Sequence, residues 1–210
     1  MSPDTQEIRD QILLATLPNV VFEGWTPAAT AAEPDFPRVF PGGMAELAGH
    51  FSEWADRRMV AEMARLDIPG LRVRERIAAG VRLRLQVLSP HREAVRRLMT
   101  FLALPHNGPS AIRATWQTAG EIWYAAGDQS ADFNYYTKRA LLVPVLASTT
   151  LAWLADESDD FAETWAFLDR RIAEVLKIPP LKARLTERLS QLPSPVDICK
   201  RFAAAAGARR

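Results

Sequence analysis

The chain has 210 residues, of which 48% are hydrophobic and 24% are charged, so it is a globular protein long enough to bury a substantial core. Its one cysteine, Cys199, excludes a framework of intramolecular disulfides and fits a reducing compartment. The chain begins with polar and acidic residues, and no apolar run approaches the length of a membrane span. We therefore expect a cytosolic protein without a signal peptide.

Charge is distributed unevenly along the chain, although the net charge is only +1. From Lys177 onward there are eight basic and two acidic residues, a net charge of +6, which leaves −5 for residues 1–176. An acidic body followed by a basic tail indicates that the tail contacts anionic surfaces.

The first predicted helix covers residues 4–17 and either ends at Pro18 or continues past it with a kink. After Gly24, Thr26 is suited to be an N-cap and Pro27 to be a first helical residue. These two residues predict a short second helix.

Residues 33–43 contain three prolines and two glycines, which excludes a regular helix of useful length. A long helix is predicted from Met44 to about Arg65. In it Glu46 and Glu53 flank His50, an arrangement that a surface salt-bridge cluster explains better than a metal site.

Five further helices follow in the body, because apolar residues recur there at helical spacing between turn signals. Their predicted ranges are residues 71–88, 91–102, 110–126, 133–154 and 161–176. The last has a clean apolar stripe, which is either a subunit interface or core.

The helix that follows the turn at Gly127 organises the rest of the chain. It has little polar surface after Arg139, so we expect it to be central and surrounded by other helices. Pro144 lies in its middle and predicts a kink with a local gap in packing. Such a helix favours an internal cavity.

The first turn of this central helix mixes aromatic and charged residues, among them Asp132, Tyr135 and Arg139. This combination is enriched where one surface meets a partner. An ordinary helix start with a solvated charged face is the alternative. Trp116 and Trp123, on the preceding helix, either fill a core or line an apolar pocket.

The tail after Pro179-Pro180 repeats leucines beside basic residues, in a modest amphipathic pattern. Such a segment can lie in a membrane interface, with cations facing anionic headgroups. A flexible solubilising end explains the same pattern. The candidate membrane-binding residues are Leu181, Leu185, Arg188 and Leu189.

Several catalytic patterns are absent from the sequence. Only three histidines occur and none follows a glutamate by three residues, which excludes the Glu-x-x-His pairs of a di-iron helical bundle. We find no phosphate-binding glycine motif, zinc spacing or nucleophile elbow. Cys199 has no neighbouring histidine. The sequence therefore predicts a non-enzymatic protein without cofactor or metal.

The first 65 residues resemble the DNA-binding head of TetR-type regulators in three motifs: Gly24-Trp25-Thr26, Phe40-Pro41-Gly42-Gly43 and Glu46-Leu47. The position of the recognition helix, residues 33–37, instead holds two carboxylates and two prolines. Phosphate contacts require lysine, arginine and helix N-termini, so we interpret the head as a relic that does not bind DNA.

Over about residues 8–178 the chain resembles coenzyme Q biosynthesis protein nine, the lipid-binding accessory family of ubiquinone biosynthesis. Five segments carry the resemblance: residues 40–43 (FPGG), 71–77 (LRVRERI), 89–94 (SPHREA), 126–139 (AGDQSADFNYYTKR) and 164–172 (TWAFLDRRI). Where the family usually has Asn-Trp-Tyr, this chain has Asn-Tyr-Tyr at residues 134–136.

The resemblance implies an all-α, TetR-like homodimer that binds isoprenoid quinone or phospholipid in an internal pocket. It also implies a C-terminal amphipathic helix at the membrane surface, on its cytoplasmic face, and a partner, the demethoxyubiquinone hydroxylase. A polyprenyl tail is nearly insoluble in water, so such a carrier must bury it. The corresponding domains are a degenerate helix-turn-helix head (residues 1–65), a lipid-binding and dimerisation body (66–178) and a basic tail (179–210).

On this basis we assign candidate roles to two sets of residues. Trp116, Trp123, Leu142 and Val145 contact lipid. Asp132, Tyr135, Tyr136 and Arg139 face the hydroxylase. Two alternatives remain, a TetR-type ligand-responsive transcriptional repressor and a structural dimer without ligand.

Overall fold

The computed structural model describes residues 3–67, 70–128 and 133–175, and all regular secondary structure in these ranges is helical. The helices are α1 (Pro3–Glu23), α2 (Phe36–Val39), α3 (Gly43–Met63), α4 (Val73–Leu88), α5 (Arg92–Leu102), α6 (Gly108–Ala125), α7 (Phe133–Ala155) and α8 (Ala162–Val175). Short 3-10 turns connect several of them. The predicted all-α class is confirmed.

The head has the predicted order of elements with different lengths. α1 continues through Pro18 to Glu23. The predicted second helix is only a 3-10 turn, Pro27–Thr30, and the hydroxyl of Thr26 donates to the carbonyl of Glu23, 3.0 Å away. In the following proline-rich segment only the four residues of α2 are helical, as the prolines predict.

His50 corrects the expectation of a surface cluster around it. Its side chain is buried, and its Nε2 lies 2.8 Å from an Asp10 carboxylate oxygen on α1. Glu46 pairs with Arg9 at 2.9 Å, and Arg9 also stacks over the ring of Phe40. Burial and the nearby Arg9 guanidinium lower the pKa of His50. The cluster joins α1 to α3 inside the head.

α3 packs on both α4 and α6. Its buried residues include Leu47, Phe51, Trp54 and Met59. The close approach of α4 to α6 depends on Gly80: a Cβ there would lie 2.9 Å from Cγ2 of Ile122. A glycine thus sets the spacing of these helices.

α7 was expected to be surrounded by other helices, and this prediction is wrong for one of its faces. Leu142, Val145 and Trp153 are buried. Tyr136 and Leu151, on the other side, are 61% and 58% exposed. The apolar periodicity of a sequence does not distinguish a helix that is enclosed on all sides from a helix with one exposed apolar face.

α4 begins two residues later than predicted: Arg72 is its N-cap residue, and the Glu75 carboxylate accepts from the Arg72 backbone N–H at 2.9 Å. The Arg72 guanidinium lowers the pKa of the Glu75 carboxyl to about 2. Val73, in the first turn of α4, is exposed, whereas Ile77, Val81, Leu85 and Leu88 are buried.

The chain up to Ile172 forms one compact unit that includes both the head and most of the body. The domain boundaries at residues 65 and 178 stay predictions. The basic tail, with Leu181, Leu185, Arg188 and Leu189, lies outside the described residues.

Candidate functional site

A cavity of about 170 Å³ lies among helices α3, α4, α5, α6 and α7. Most of its wall is apolar and includes Phe51, Leu98, Phe101 and Leu146. The cavity meets α7 at Leu146, just after Pro144, where the sequence predicts a gap in packing. The structure thus contains a site for an apolar group beside the proline.

One end of the cavity is polar. The Arg84 guanidinium on α4 donates from Nε to Asp56 at 2.7 Å and from Nη2 to the Ser52 hydroxyl at 2.9 Å. Thr118 on α6 donates to the other Asp56 carboxylate oxygen at 2.8 Å. Ser52, Arg84 and Thr118 all line the cavity. Three helices therefore deliver one compact polar group to a wall that is mostly apolar.

The mouth of the cavity is marked by the lining residues that are exposed: Ala45, Ser110, Ala147 and Leu151. These residues come from α3, α6 and α7 and have small or apolar side chains. A hydrocarbon chain that enters here meets no charged side chain among them. The mouth is suited to an apolar ligand longer than the cavity itself.

The size of the cavity limits what it encloses. A cavity of about 150 Å³ lined by Leu, Ile and Phe binds one benzene molecule. A space of about 170 Å³ therefore accepts one substituted ring or the tip of a hydrocarbon chain. Any longer ligand must extend beyond the mouth unless the helices move apart.

The four residues predicted to contact lipid lie close to this cavity in sequence, yet within the described part of the chain they are not among its lining residues. Leu142 and Val145 are buried in the core beside it. Trp116 and Trp123 are half-buried on α6, and their rings contact residues at the start of α7. Their role in lipid binding stays a prediction.

The predicted partner surface is only partly described. Tyr135 lies in the first turn of α7, and Asp132 precedes the described part of that helix. Tyr136 is exposed, with its ring centroid 6.5 Å from that of Trp116. Arg139 is buried, and its Nε lies 3.3 Å from the position that a Cβ on Gly120 would occupy. The structure thus separates Tyr136 on the surface from Arg139 inside the helix crossing.

The polar end of the cavity and the α6–α7 crossing are electrostatically connected. Glu121 follows Gly120 on α6, and partial burial together with the nearby Asp56 carboxylate raises its pKa, while Arg139 acts in the opposite direction. Arg139, one residue of the predicted partner surface, and Asp56 at the cavity thus both act on Glu121.

Sequence reasoning missed the polar group at Asp56 and Arg84. The Arg84 side chain is only 14% exposed and that of Asp56 only 7%. The spacing of Ser52 and Asp56 puts them on one face of α3. Arg84 reaches that face only because α4 packs on α3. No local sequence pattern predicts this contact.

Two absences concern the described residues alone. Residues 3–67, 70–128 and 133–175 contain no cluster of three or more His, Cys, Asp or Glu side chains able to bind a metal ion. In the same ranges, none of the helices has the length and apolar character needed to cross a bilayer.

The fold resembles that of a solved regulator. The crystal structure of the TetR transcriptional regulator from Nitrosomonas europaea aligns with a TM-score of 0.65 at 22% identity, and the alignment covers 81% of this chain and 98% of that chain. The chain is thus an all-helical protein of TetR-like fold, with an apolar cavity that has one polar end.

Sequence comparisons identify the family. The COQ9 family model matches residues 108–179. The human ubiquinone biosynthesis protein COQ9, mitochondrial, is 31% identical over 187 residues, covering 82% of this chain and 59% of that protein. Its Drosophila melanogaster counterpart is 32% identical over 182 residues, covering 81% and 56%. The chain belongs to the COQ9 family, and it spans somewhat more than half the length of these relatives.

Proposed function

We propose that the protein is a non-enzymatic, lipid-binding accessory protein of ubiquinone biosynthesis. In this role it presents a polyprenylated quinone intermediate to the demethoxyubiquinone hydroxylase. The observation that carries the proposal is the cavity at Leu146, whose mostly apolar wall and polar group of Ser52, Arg84 and Thr118 suit an amphipathic lipid. The relatives are named as ubiquinone biosynthesis proteins, which supplies the class of ligand.

The hydroxylase would bind at the start of α7. An exposed aromatic such as Tyr136, beside the half-buried Trp116, is typical of the anchors that carry binding energy at protein interfaces. This surface belongs to the same helix as the cavity wall. A partner that binds there is therefore within reach of a lipid held between α6 and α7.

Membrane contact and dimerisation complete the proposal. The basic tail would hold the protein on the cytoplasmic face of the membrane, where polyprenyl quinones reside, through its leucines and cations. A second copy of the chain would cover exposed apolar surface. Both assignments derive from the sequence pattern and the family resemblance.

Replacement of Tyr135 by lysine tests the partner assignment. Tyr135 precedes Tyr136 in the first turn of α7, and a lysine there adds a charge that must be desolvated when the partner binds, so retention of the chain by immobilised hydroxylase should fall at least tenfold. Phe22→Lys is the control, because Phe22 is an exposed aromatic on α1. If Tyr135→Lys binds like the wild type, the hydroxylase binds elsewhere.

A TetR-type ligand-responsive repressor is the second candidate, favoured by the TetR-like fold. The head argues against it: the recognition position has only the four residues of α2, Phe36 is buried, and Arg38 is paired with Asp35 at 2.9 Å. A gel shift at low salt with random-sequence and promoter DNA separates the two candidates. Retention of a specific fragment would favour the repressor.

A further inference from the structure

A second concave surface, an open groove of about 550 Å³, lies between α1, α3 and the end of α4. Leu14 of α1, Ala61 of α3 and Val87 of α4 give it apolar walls, and His91 closes one end. Among the described residues, the groove shares no lining residue with the cavity at Leu146. It is therefore a separate site, and its volume is in the range of small-molecule sites.

An aromatic cluster stands between the groove and the cavity. Trp54 and His91 line the groove, and Phe51 lines the cavity. The ring centroid of Phe51 is 6.0 Å from that of Trp54 and 6.2 Å from that of His91, and the last two are 5.6 Å apart. A ligand in the groove would thus lie against closely packed rings instead of mobile side chains.

Arg58 supplies this groove with a cation. Its guanidinium carbon lies 4.3 Å from the centroid of the Trp54 ring, and its side chain is exposed. Within residues 3–67, 70–128 and 133–175 no carboxylate pairs with it. A guanidinium that stacks on an indole keeps the N–H donors of its edge available to a carboxylate.

The remaining charges of the groove cancel. Arg65 pairs with Glu62 at 2.6 Å. Burial and the Arg58 guanidinium lower the pKa of His91, so its ring is neutral near pH 7. Trp54 is 4% exposed, and its indole N–H has no acceptor in the part of the chain that the structure describes. The described lining therefore has a net charge of +1 and an uncompensated N–H dipole, which together favour an anion.

The charge and the walls of the groove select the class of anion. A carboxylate matches the planar fork of a guanidinium with two parallel hydrogen bonds. A phosphate monoester carries about −1.5 to −2 charges at pH 7 and would place the excess beside Glu62. Leu14, Ala61, Val87 and Pro90 offer contact to an apolar group. The pattern therefore favours a monocarboxylate with an apolar part.

We propose that this groove binds a small amphiphilic monocarboxylate. The carboxylate pairs with Arg58, and the apolar part packs on Val87 and Pro90 beside the rings of Trp54 and His91. The site goes beyond the proposed function and does not depend on it, because lipid in the cavity contacts other residues.

The test measures binding of phenylpropionate to the full-length protein by NMR titration. The neutral amide of the same acid should bind at least fivefold more weakly, because it lacks the charge that pairs with Arg58. Arg58→Gln should weaken binding of the acid at least fivefold and leave binding of the amide unchanged. Since Arg58 is exposed, the variant should fold like the wild type.

Arg74→Gln is the matched control. Arg74 is also an exposed arginine, but it lies twelve residues before Gln86 on α4, about 18 Å along the helix from the groove. The variant has the same net charge as Arg58→Gln. Its affinity for phenylpropionate should equal that of the wild type.

Two further variants change the groove in opposite directions. Glu62→Gln removes the negative charge beside the site and leaves Arg65 without its partner, so phenylpropionate should bind about threefold more tightly. Ala61→Leu fills the groove from an exposed position on α3 and should abolish binding. A merely structural role of these residues does not predict tighter binding in Glu62→Gln.

The ring of His91 provides an independent readout. Bound phenylpropionate should raise the pKa of His91, because its carboxylate offsets the Arg58 guanidinium that lowers this pKa. The other charged side chains of the described lining are Glu62 and Arg65, both on α3. His106 lies outside the groove, and its titration should not change.

Several results would overturn the proposal. Equal affinity for the acid and the amide, or unchanged affinity for the acid in Arg58→Gln, would exclude a carboxylate site. Full affinity in Ala61→Leu would show that the acid binds elsewhere on the protein. If phenyl phosphate binds more tightly than phenylpropionate and Arg58→Gln weakens it, the class of anion is wrong.

Discussion

The buried carboxylate of Asp156 stabilises the junction between α7 and α8. One of its oxygens accepts from the backbone N–H and hydroxyl of Ser158, and the other accepts from the N–H and hydroxyl of Thr164. These hydrogen bonds hold the pKa of the Asp156 carboxyl well below its usual range. The sequence predicts a helix over residues 161–176, but it does not identify Asp156 as the residue that holds its start.

Replacement of Asp156 by asparagine should lower the Tm near neutral pH. The folded pKa of Asp156 is depressed, so its contribution is present above the unfolded pKa, about 3.9, and is lost as pH falls towards the folded pKa. The difference in Tm between wild type and Asp156→Asn should therefore be constant above about pH 5 and shrink below about pH 4. The measurement is thermal unfolding followed by circular dichroism from pH 7 to pH 3.

Asp159→Asn provides the control for this series, because Asp159 is exposed in the same turn. It should follow the wild-type curve throughout. A difference between wild type and Asp156→Asn that stays constant down to pH 3 would show that the carboxylate charge does not hold the junction.

At the scale of elements, the sequence predicts most helices because their apolar periodicity is strong and their ends have turn signals. The ranges predicted for α3 and α4 are each within two residues of the observed helices. Which helices pack against each other is harder to predict from the sequence, because it depends on contacts between residues far apart in the chain. Arg84 and Asp56 are an example. From its neighbours in the sequence each would be expected on the surface, but the two side chains form a buried ion pair.

Substitution of Gly80 by alanine tests the packing of α4 on α6. Alanine there would place its Cβ 2.9 Å from Cγ2 of Ile122 and 3.1 Å from Sδ of Met63, so the helices must shift. Overpacking costs about 1–3 kcal/mol, partly offset by the gain of about 1 kcal/mol for replacing glycine in a helix. We expect Gly80→Ala to lower the free energy of unfolding by about 1 kcal/mol in urea denaturation.

Gly49→Ala is the matched control on α3. A Cβ at that position meets nothing within 4 Å, so the helical gain should appear alone, at about 0.5–1 kcal/mol of added stability. If both variants are stabilised equally, the α4–α6 contact tolerates a methyl group and Gly80 does not set the helix spacing.

At the scale of the whole molecule, the sequence predicts the fold class and the family, which the helical structure and the comparisons confirm. The lining of the cavity was not predicted, because it combines residues from five helices. Trp116 and Trp123 are large and conspicuous in the sequence, yet the described lining consists mainly of smaller side chains. Large residues fill space, and a cavity forms where small ones face each other.

Membrane association, which we propose for the basic tail, is tested on the whole chain. A protein that ends at Ile178 lacks the basic leucine-repeating tail and should lose flotation with anionic liposomes, since both the apolar and the electrostatic contribution are removed. Full-length Leu185→Glu/Leu189→Glu should also fail to float. Flotation of the truncated chain at the wild-type level would place membrane contact in the body.

Native mass spectrometry of the purified full-length protein, before and after organic extraction, tests lipid carriage most directly. The expected result is a mass increment per chain that matches a polyprenyl quinone or its phenol precursor, is lost on extraction, and is recovered in the organic phase. Protein of bare mass with no quinone or phenol lipid in the extract, from cells that make ubiquinone, would contradict the account.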